Sequence, residues 1–362
     1  MSDAPKSNRK IAAADDSGGS LTYGVELEFV LAAIPKGKED PDPDITDLHL
    51  CRSESGKYWA CQMEVFPKML EYLRARLPGL QFTHWKNESL IAFHGVVLQG
   101  AEPKYDTWRL MTEYSISKDG EDDDEIYQWV PMELTSPIMN EENYEAQVKQ
   151  VCDVLKTIRI NLSSSTSVHV HVGRGDDPFR SVYSSLHISE NKKFLARDFA
   201  LLPDYLNQPS QQHLNAEAAS RDQEVEGLMT MMMASHVPED WTFCTRGSVG
   251  FSRFQSGSGM VSGNFQTFEW RQMFGSFDAA HINAWVKVCM KFTDFCRLST
   301  ADEFKAAVTS VLALGEGYTG IRLLEDLLKV DTEIFRTKMS QWESNPDFCK
   351  DRTGRKLFEN DR

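Results

Sequence analysis

The sequence has no apolar run approaching the roughly 20 residues that a membrane-spanning helix needs, which argues against an integral membrane role. It also lacks an excess of positive charge. Lys and Arg number 39 against 54 Asp and Glu, for a formal net charge of −15. Such a chain does not take nucleic acid or an anionic membrane surface as its default partner. If it handles phosphates, it needs metal cations and a few well-placed arginines. The seven cysteines are odd in number and scattered. Their spacing suggests neither a zinc site nor a disulfide framework, so a reducing, cytoplasmic setting is expected. Residues 1–20 lack an apolar signal-peptide core; rich in Ala, Ser, Asp and Gly, they read as a disordered leader. No internal repeat is visible.

What is present is a set of strands with chemically loaded faces. Phe268-Glu269-Trp270-Arg271-Gln272 alternates large apolar and polar residues between Gly263 and Gly275, the pattern of a β-strand. Successive strand side chains point to opposite faces, so Glu269 and Arg271 share one face and Phe268 and Trp270 the other. A carboxylate and a guanidinium within an apolar strand are costly unless something uses them. Val25-Glu26-Leu27-Glu28-Phe29 puts two carboxylates on one face, and Val168-His169-Val170-His171-Val172 does the same with two imidazoles. These read as strands of one sheet, with one face under helices and the other lining a polar, metal-holding cavity.

The remaining pattern is β-rich early and helical late. Strands are expected over residues 21–34, 82–98 and 166–172, with a hairpin formed by 107–117 and 126–135. The acidic run between the hairpin arms reads as a solvated loop tip. Residues 35–47, with three prolines, form a charged loop. Helices are expected over 62–77, 140–160, 278–298, 301–314, 321–328 and 333–342, and a mainly helical stretch over 177–206. The Met-rich segment within 208–239 reads as a packing helix in preference to a mobile lid over the site. The class is α+β with a mainly antiparallel sheet. Residues 21–300 are expected to form one catalytic domain, with 301–362 a helical extension packed on it.

Glu26 and Glu28 lie about 7 Å apart along their strand. Two buried like charges raise each other's pKa unless a cation intervenes. Glu113, Glu133 and Glu269 add three more strand carboxylates, and His169 or His171 adds a neutral imidazole ligand. This set fits a site with more than one Mg²⁺ or Mn²⁺, which would clamp nucleotide phosphates for phosphoryl transfer. Arg271 would face the transferred group. Taken singly, E-x-E is also the pattern of a solvated edge, H-x-H of paired surface imidazoles, and Glu269 with Arg271 of a local ion pair.

Their order carries a resemblance. GVELEF at 24–29, W-x-x-x-x-E-x-S at 108–115, ELTSP at 133–137, SVHVHVG at 167–173, FEWRQ at 268–272, and G-S-x-D with a following Trp at 275–285 resemble the amidoligase family common in fungi. That family is similar to the glutamine synthetase and glutamate–cysteine ligase superfamily. The resemblance implies an antiparallel sheet curved into a funnel with helices on its outer face. It implies ATP-dependent amide formation from small-molecule carboxylate and amine substrates through an acyl phosphate. Glu28, Glu113 and Glu133 would hold one metal, and Glu26, His169 and Glu269 the other. Arg271 and Glu133 would be catalytic. His171, Arg271, Arg246 and Arg253 would contact nucleotide or phosphate, the last two placed by charge and region only. The family usually has Asp where Glu113 stands and Cys-Gly where Thr166-Ser167 stands. A small-molecule kinase of the same fold and a non-catalytic nucleotide- or metal-binding scaffold are the alternatives.

Overall fold

The computed structural model describes residues 20–84, 105–113, 115–118, 126–140, 142, 144–174, 249–250, 267–314 and 319–344. The long strand β1 (Thr22–Ile34) is buried along almost its whole length. It pairs antiparallel with β5 (Gln128–Thr135) on one side and β7 (Ser167–Gly173) on the other. Beyond β5 comes β4 (Trp108–Thr112), antiparallel, and then β3 (Phe82–His84), parallel to β4. Beyond β7 come β9 (Phe268–Phe274) and β8 (Val249–Gly250), both antiparallel. Two short strands, β2 (Cys51–Arg52) and β6 (Ile160–Asn161), flank the far end of β1, the first of them parallel. Among the described residues these nine strands form one open sheet. The fold is therefore α+β. The central ladders are antiparallel as expected, but the β1–β2 and β3–β4 pairings make the sheet mixed.

The two faces of β1 have different fates. Val25, Leu27, Phe29, Leu31 and Ala33 enter the main core. Helices α1 (Tyr58–Arg76), α2 (Tyr144–Leu155) and α3 (Ala279–Leu298) cover that face with Val65, Met69, Leu73, Val148, Val151, Ile282 and Val286. The even-numbered face carries Glu26 and Glu28 at one end. At the other end Ala32 and Ile34 form a second apolar cluster with Tyr127, against which Leu50 and Trp129 pack. Buried Arg159 ties the 35–47 loop to that cluster. Its guanidinium donates to Asp40 at 2.6 Å, to the Tyr127 hydroxyl at 2.8 Å and to the Ile45 carbonyl at 2.5 Å.

Two expected helices differ most in extent. The helix anticipated at 62–77 starts four residues earlier, at Tyr58, and ends at Arg76. The one anticipated at 140–160 is shorter, spanning Tyr144–Leu155. Asn140 instead accepts the Glu142 N–H in a local turn at 3.2 Å, and Ile160 joins the sheet as β6. Helices α4 (Ala301–Leu314), α5 (Gly320–Asp326) and α6 (Glu333–Ser344) complete the described chain. Helix α6 contacts α3 through an ion pair of Lys338 with Asp278 at 2.6 Å and an edge contact of Phe335 with His281. Among the described residues no helix is long and apolar enough to cross a membrane. The stretches 177–206 and 208–239 lie outside the described residues.

Candidate active site

Register decides which polar side chains meet. Glu28 stands directly opposite Glu133 across β1–β5, and Glu26 directly opposite His169 across β1–β7. His171 is paired with Glu269 across β7–β9. Glu113 continues β4 by one residue, its N–H reaching the Pro131 carbonyl at 3.5 Å. It thereby stays on the face of Met111, which is opposite Glu133.

Two donor groups result. Glu28, Glu113 and Glu133 form one, with a ligand atom from each lying within 4.8 Å of the others. Glu26, His171 and Glu269 form the second by the same measure. The first is the trio expected from the resemblance. The second brings His171 to Glu26 and Glu269, and His169, the imidazole expected from the resemblance, lies beside the same two carboxylates. His171 Nε2 lies 2.9 Å from Glu26 Oε1, and its Nδ1 lies 3.0 Å from Thr267 Oγ1. His169 sits between the groups. Its Nδ1 is 3.0 Å from Glu26 and 3.5 Å from Glu269, and its Nε2 is 3.7 Å from Glu28.

Supporting hydroxyls complete the arrangement, and the motifs alone assign them no roles. Ser167 lies two residues before His169 on the same strand face. Its N–H and hydroxyl both donate to Glu28 Oε2, at 2.8 and 2.5 Å, and its oxygen is 2.6 Å from His169 Nε2. The Ser115 N–H and hydroxyl donate to Glu113 Oε1 at 2.9 and 2.5 Å. Thr135 donates to Glu133 at 2.8 Å. The period of two that placed the acids on one face also places Ser167 and Thr135 there.

A register shift between β7 and β9 sets the position of Arg271. Val168 pairs with Met273 and Val170 with Trp270, so Arg271 and Gln272 together oppose His169. This is a bulge, and it reverses the facing of the residues beyond it. Regular alternation would send Gln272 into the core and Met273 into the site. The bulge instead leaves Gln272 exposed and buries Met273. Arg271 remains on the site face, hydrogen-bonded to Glu269. Gly275 then passes so close to Thr166 that an added Cβ would lie 2.3 Å from Thr166 Oγ1. Asp278 caps α3 by accepting the His281 N–H at 3.2 Å.

Desolvation dominates the electrostatics of the site. Burial pushes the Glu133 carboxyl well above the usual carboxylate range, and Glu26, Glu113 and Glu28 push the same way. Burial also raises Glu28, with Glu113 adding to it against the opposing His169 and Ser167. Burial acts to raise Glu26 as well, but His171 and His169 outweigh it and hold that carboxyl well below its usual value. Carboxylate oxygens with an imidazole, clustered and desolvated, suit Mg²⁺ or Mn²⁺. The donor set thus fits the metals that its chemistry implies.

A cleft opens beside the second group. Its lining includes Glu26, His171, Gly24, Tyr105, Ile138 and Thr267. It therefore joins a charged end to a mostly apolar slot.

Residues 20–191 match the family model described as "Putative amidoligase enzyme". The amidoligase match covers β1 through β7, and with them both histidines and four of the five site carboxylates. Glu269 and Arg271 lie beyond it, and the sheet brings them to the same face. No curated protein and no solved structure matches the chain at a significant level. Arg246 and Arg253 lie outside the described residues.

Proposed function

We propose that this chain is an ATP-dependent carboxylate–amine ligase. ATP would phosphorylate a small-molecule or amino-acid carboxylate, and an amine would then displace phosphate from the acyl phosphate to give the amide. The observation that carries the reading is the meeting, on one sheet face, of two three-residue donor groups with Arg271 beside the second. The amidoligase match over residues 20–191 supports an amide-forming reaction.

In this reading Glu28, Glu113 and Glu133 hold one divalent cation, Mg²⁺ or Mn²⁺. Glu26 and Glu269 hold the other with an imidazole, His171 by grouping or His169 by family resemblance. Two such cations would neutralise phosphate charge and polarise the transferring phosphoryl group. The protein's own contribution is positional. Ser167, Ser115 and Thr135 fix the carboxylate oxygens, and Arg271 offers a planar fork of donors to phosphoryl oxygens. The apolar cleft would take the nucleotide base, with the phosphates toward Glu26 and His171. Arg246 and Arg253 are further candidates for phosphate contacts. The funnel shape, residues 21–300 as one catalytic domain with 301–362 as its extension, and a cytoplasmic location belong to the same proposal. The free thiols of Cys51, Cys61, Cys152, Cys289 and Cys296 suit a reducing compartment.

The test is incubation with ATP, Mg²⁺ and a panel of acids and amines, read by product mass spectrometry. An amide formed with ADP supports the ligase. A phosphorylated product with no amide in any pairing would indicate a kinase. No Mg·ATP binding and no product would leave a scaffold.

A further inference from the structure

The acids and imidazoles account for one half of an anion-handling site, and Arg109 points to the other half. On β4, Trp108 and Leu110 enter the main core. Strand alternation therefore puts Arg109 on the opposite face, the one that bears the acids. Register confirms the placement. Arg109 pairs with Thr135 on β5, Thr135 pairs with Glu26 on β1, and Glu26 pairs with His169 on β7. Arg271 lies in the bulge opposite His169. One cross-strand row thus carries a guanidinium on either side of Glu26, each about two strand spacings, or roughly 10 Å, away in the backbone. Arg109 is only 8 % exposed, an uncommon place for a guanidinium. Its Cζ lies 4.7 Å from the centre of the Tyr105 ring. Tyr105, Thr135, Glu26 and His171 all line the cleft.

We propose that Arg109 is a second phosphate-binding residue, holding the polyphosphate chain of the nucleotide from the β4 side while Arg271 holds it from the β9 side. The inference rests on the ligase reading above. It goes beyond it by assigning an anion contact to a residue outside both metal groups. The nucleotide, rather than the acid substrate, is favoured by position. Arg109 shares its row with Glu26 and touches the wall of the cleft beside Glu26 and His171, whereas Glu28 and Glu133 lie one row further along β1 and β5. The Tyr105 ring holds the guanidinium against the cleft wall, where a planar fork of donors matches phosphate oxygens.

The experiment is calorimetric titration of wild type, Arg109→Met and Arg109→Lys with Mg·ATP, Mg·pyrophosphate and adenosine, with thermal melts of each variant. Loss of a charge-assisted contact predicts at least about tenfold weaker Mg·ATP and Mg·pyrophosphate binding in Arg109→Met, with adenosine changed less than about twofold. Arg109→Lys keeps the charge without the fork and falls between. Should Arg109→Met fail to fold, Arg109→Lys decides. Mg·ATP binding equal to wild type in a folded variant overturns the assignment, as does equal weakening toward adenosine. A wild type that binds Mg·pyrophosphate but not Mg·ATP sinks the ligase reading alone. The Arg109 assignment then stands or falls on whether Arg109→Met loses pyrophosphate. A wild type that binds neither overturns both.

Discussion

Glu28 and Glu133 face each other directly across the β1–β5 ladder, both buried, each with burial and neighbouring carboxylates raising its pKa. Opposed like charges in a sheet are destabilising. Their pairing therefore costs stability whenever both are ionised, and a cation bound between them would relieve that cost.

The first prediction concerns that pair. Glu133→Gln removes one of the repelling charges while keeping the shape. The metal-free variant should melt a few degrees above wild type, because a buried ionisable group has been neutralised. Mg²⁺ or Mn²⁺ should raise the melting temperature of wild type and do so far less in the variant. Melting curves with and without the metal, and after chelation, check both signs. A wild type indifferent to divalent cations would count against the metal assignment.

Arg271 projects to the site face and hydrogen-bonds Glu269, with its side chain 20 % exposed. It contributes little to the core, so Arg271→Ala should fold normally. If it stabilises the transferring phosphoryl group, product formation should fall by about 10²-fold or more. Turnover measured beside circular dichroism tests this, and normal turnover in the folded variant would refute the role.

Ser167 donates twice to Glu28 and contacts His169. Such supporting contacts orient metal ligands, and their loss typically costs about 10–100-fold in metal affinity. Ser167→Ala should therefore weaken Mn²⁺ binding within that range and lower the melting temperature of the metal-free protein by a few degrees, because buried Glu28 loses a donor. Electron paramagnetic resonance titration of free Mn²⁺ measures the shift. Unaltered affinity would show that the backbone N–H of residue 167 alone is enough to hold Glu28.

The 35–47 loop supplies a pH prediction away from the site. Burial acts to raise the Asp40 pKa, but the hydrogen bonds from Arg159, the Asp42 N–H and Tyr127 outweigh it and hold it below the ordinary 3.8. A carboxyl whose folded pKa is depressed stabilises the fold above its unfolded pKa, and that stabilisation is lost as pH falls through the folded value. Asp40→Asn should therefore be less stable than wild type at neutral pH, and the difference should shrink below about pH 3.8 and vanish once the wild-type carboxyl is protonated. Melts across that range test it. A difference that persists unchanged into strong acid would mean that the pair contributes through packing rather than charge.

Much of this was legible along the chain. The alternation in residues 24–29, 167–173 and 268–272 put the acids, imidazoles and guanidinium on one face, because a strand's period of two is a local property. The family resemblance named Glu28, Glu113 and Glu133 as one set, and the sheet brings these three carboxylates together. Even Gln272, a polar residue where alternation calls for a core side chain, hints at the bulge that the structure contains.

Partnership was decided elsewhere. That both His169 and His171 reach Glu26, that Ser167 holds Glu28, that Arg109 shares a row with Glu26, and that Arg159 reaches back to Asp40 all depend on which strands are neighbours and in what register. A sequence specifies each strand's faces through its own residues. Register and strand order arise from the burial of all of them together, between segments more than a hundred residues apart, and exist only once the sheet has closed over its core.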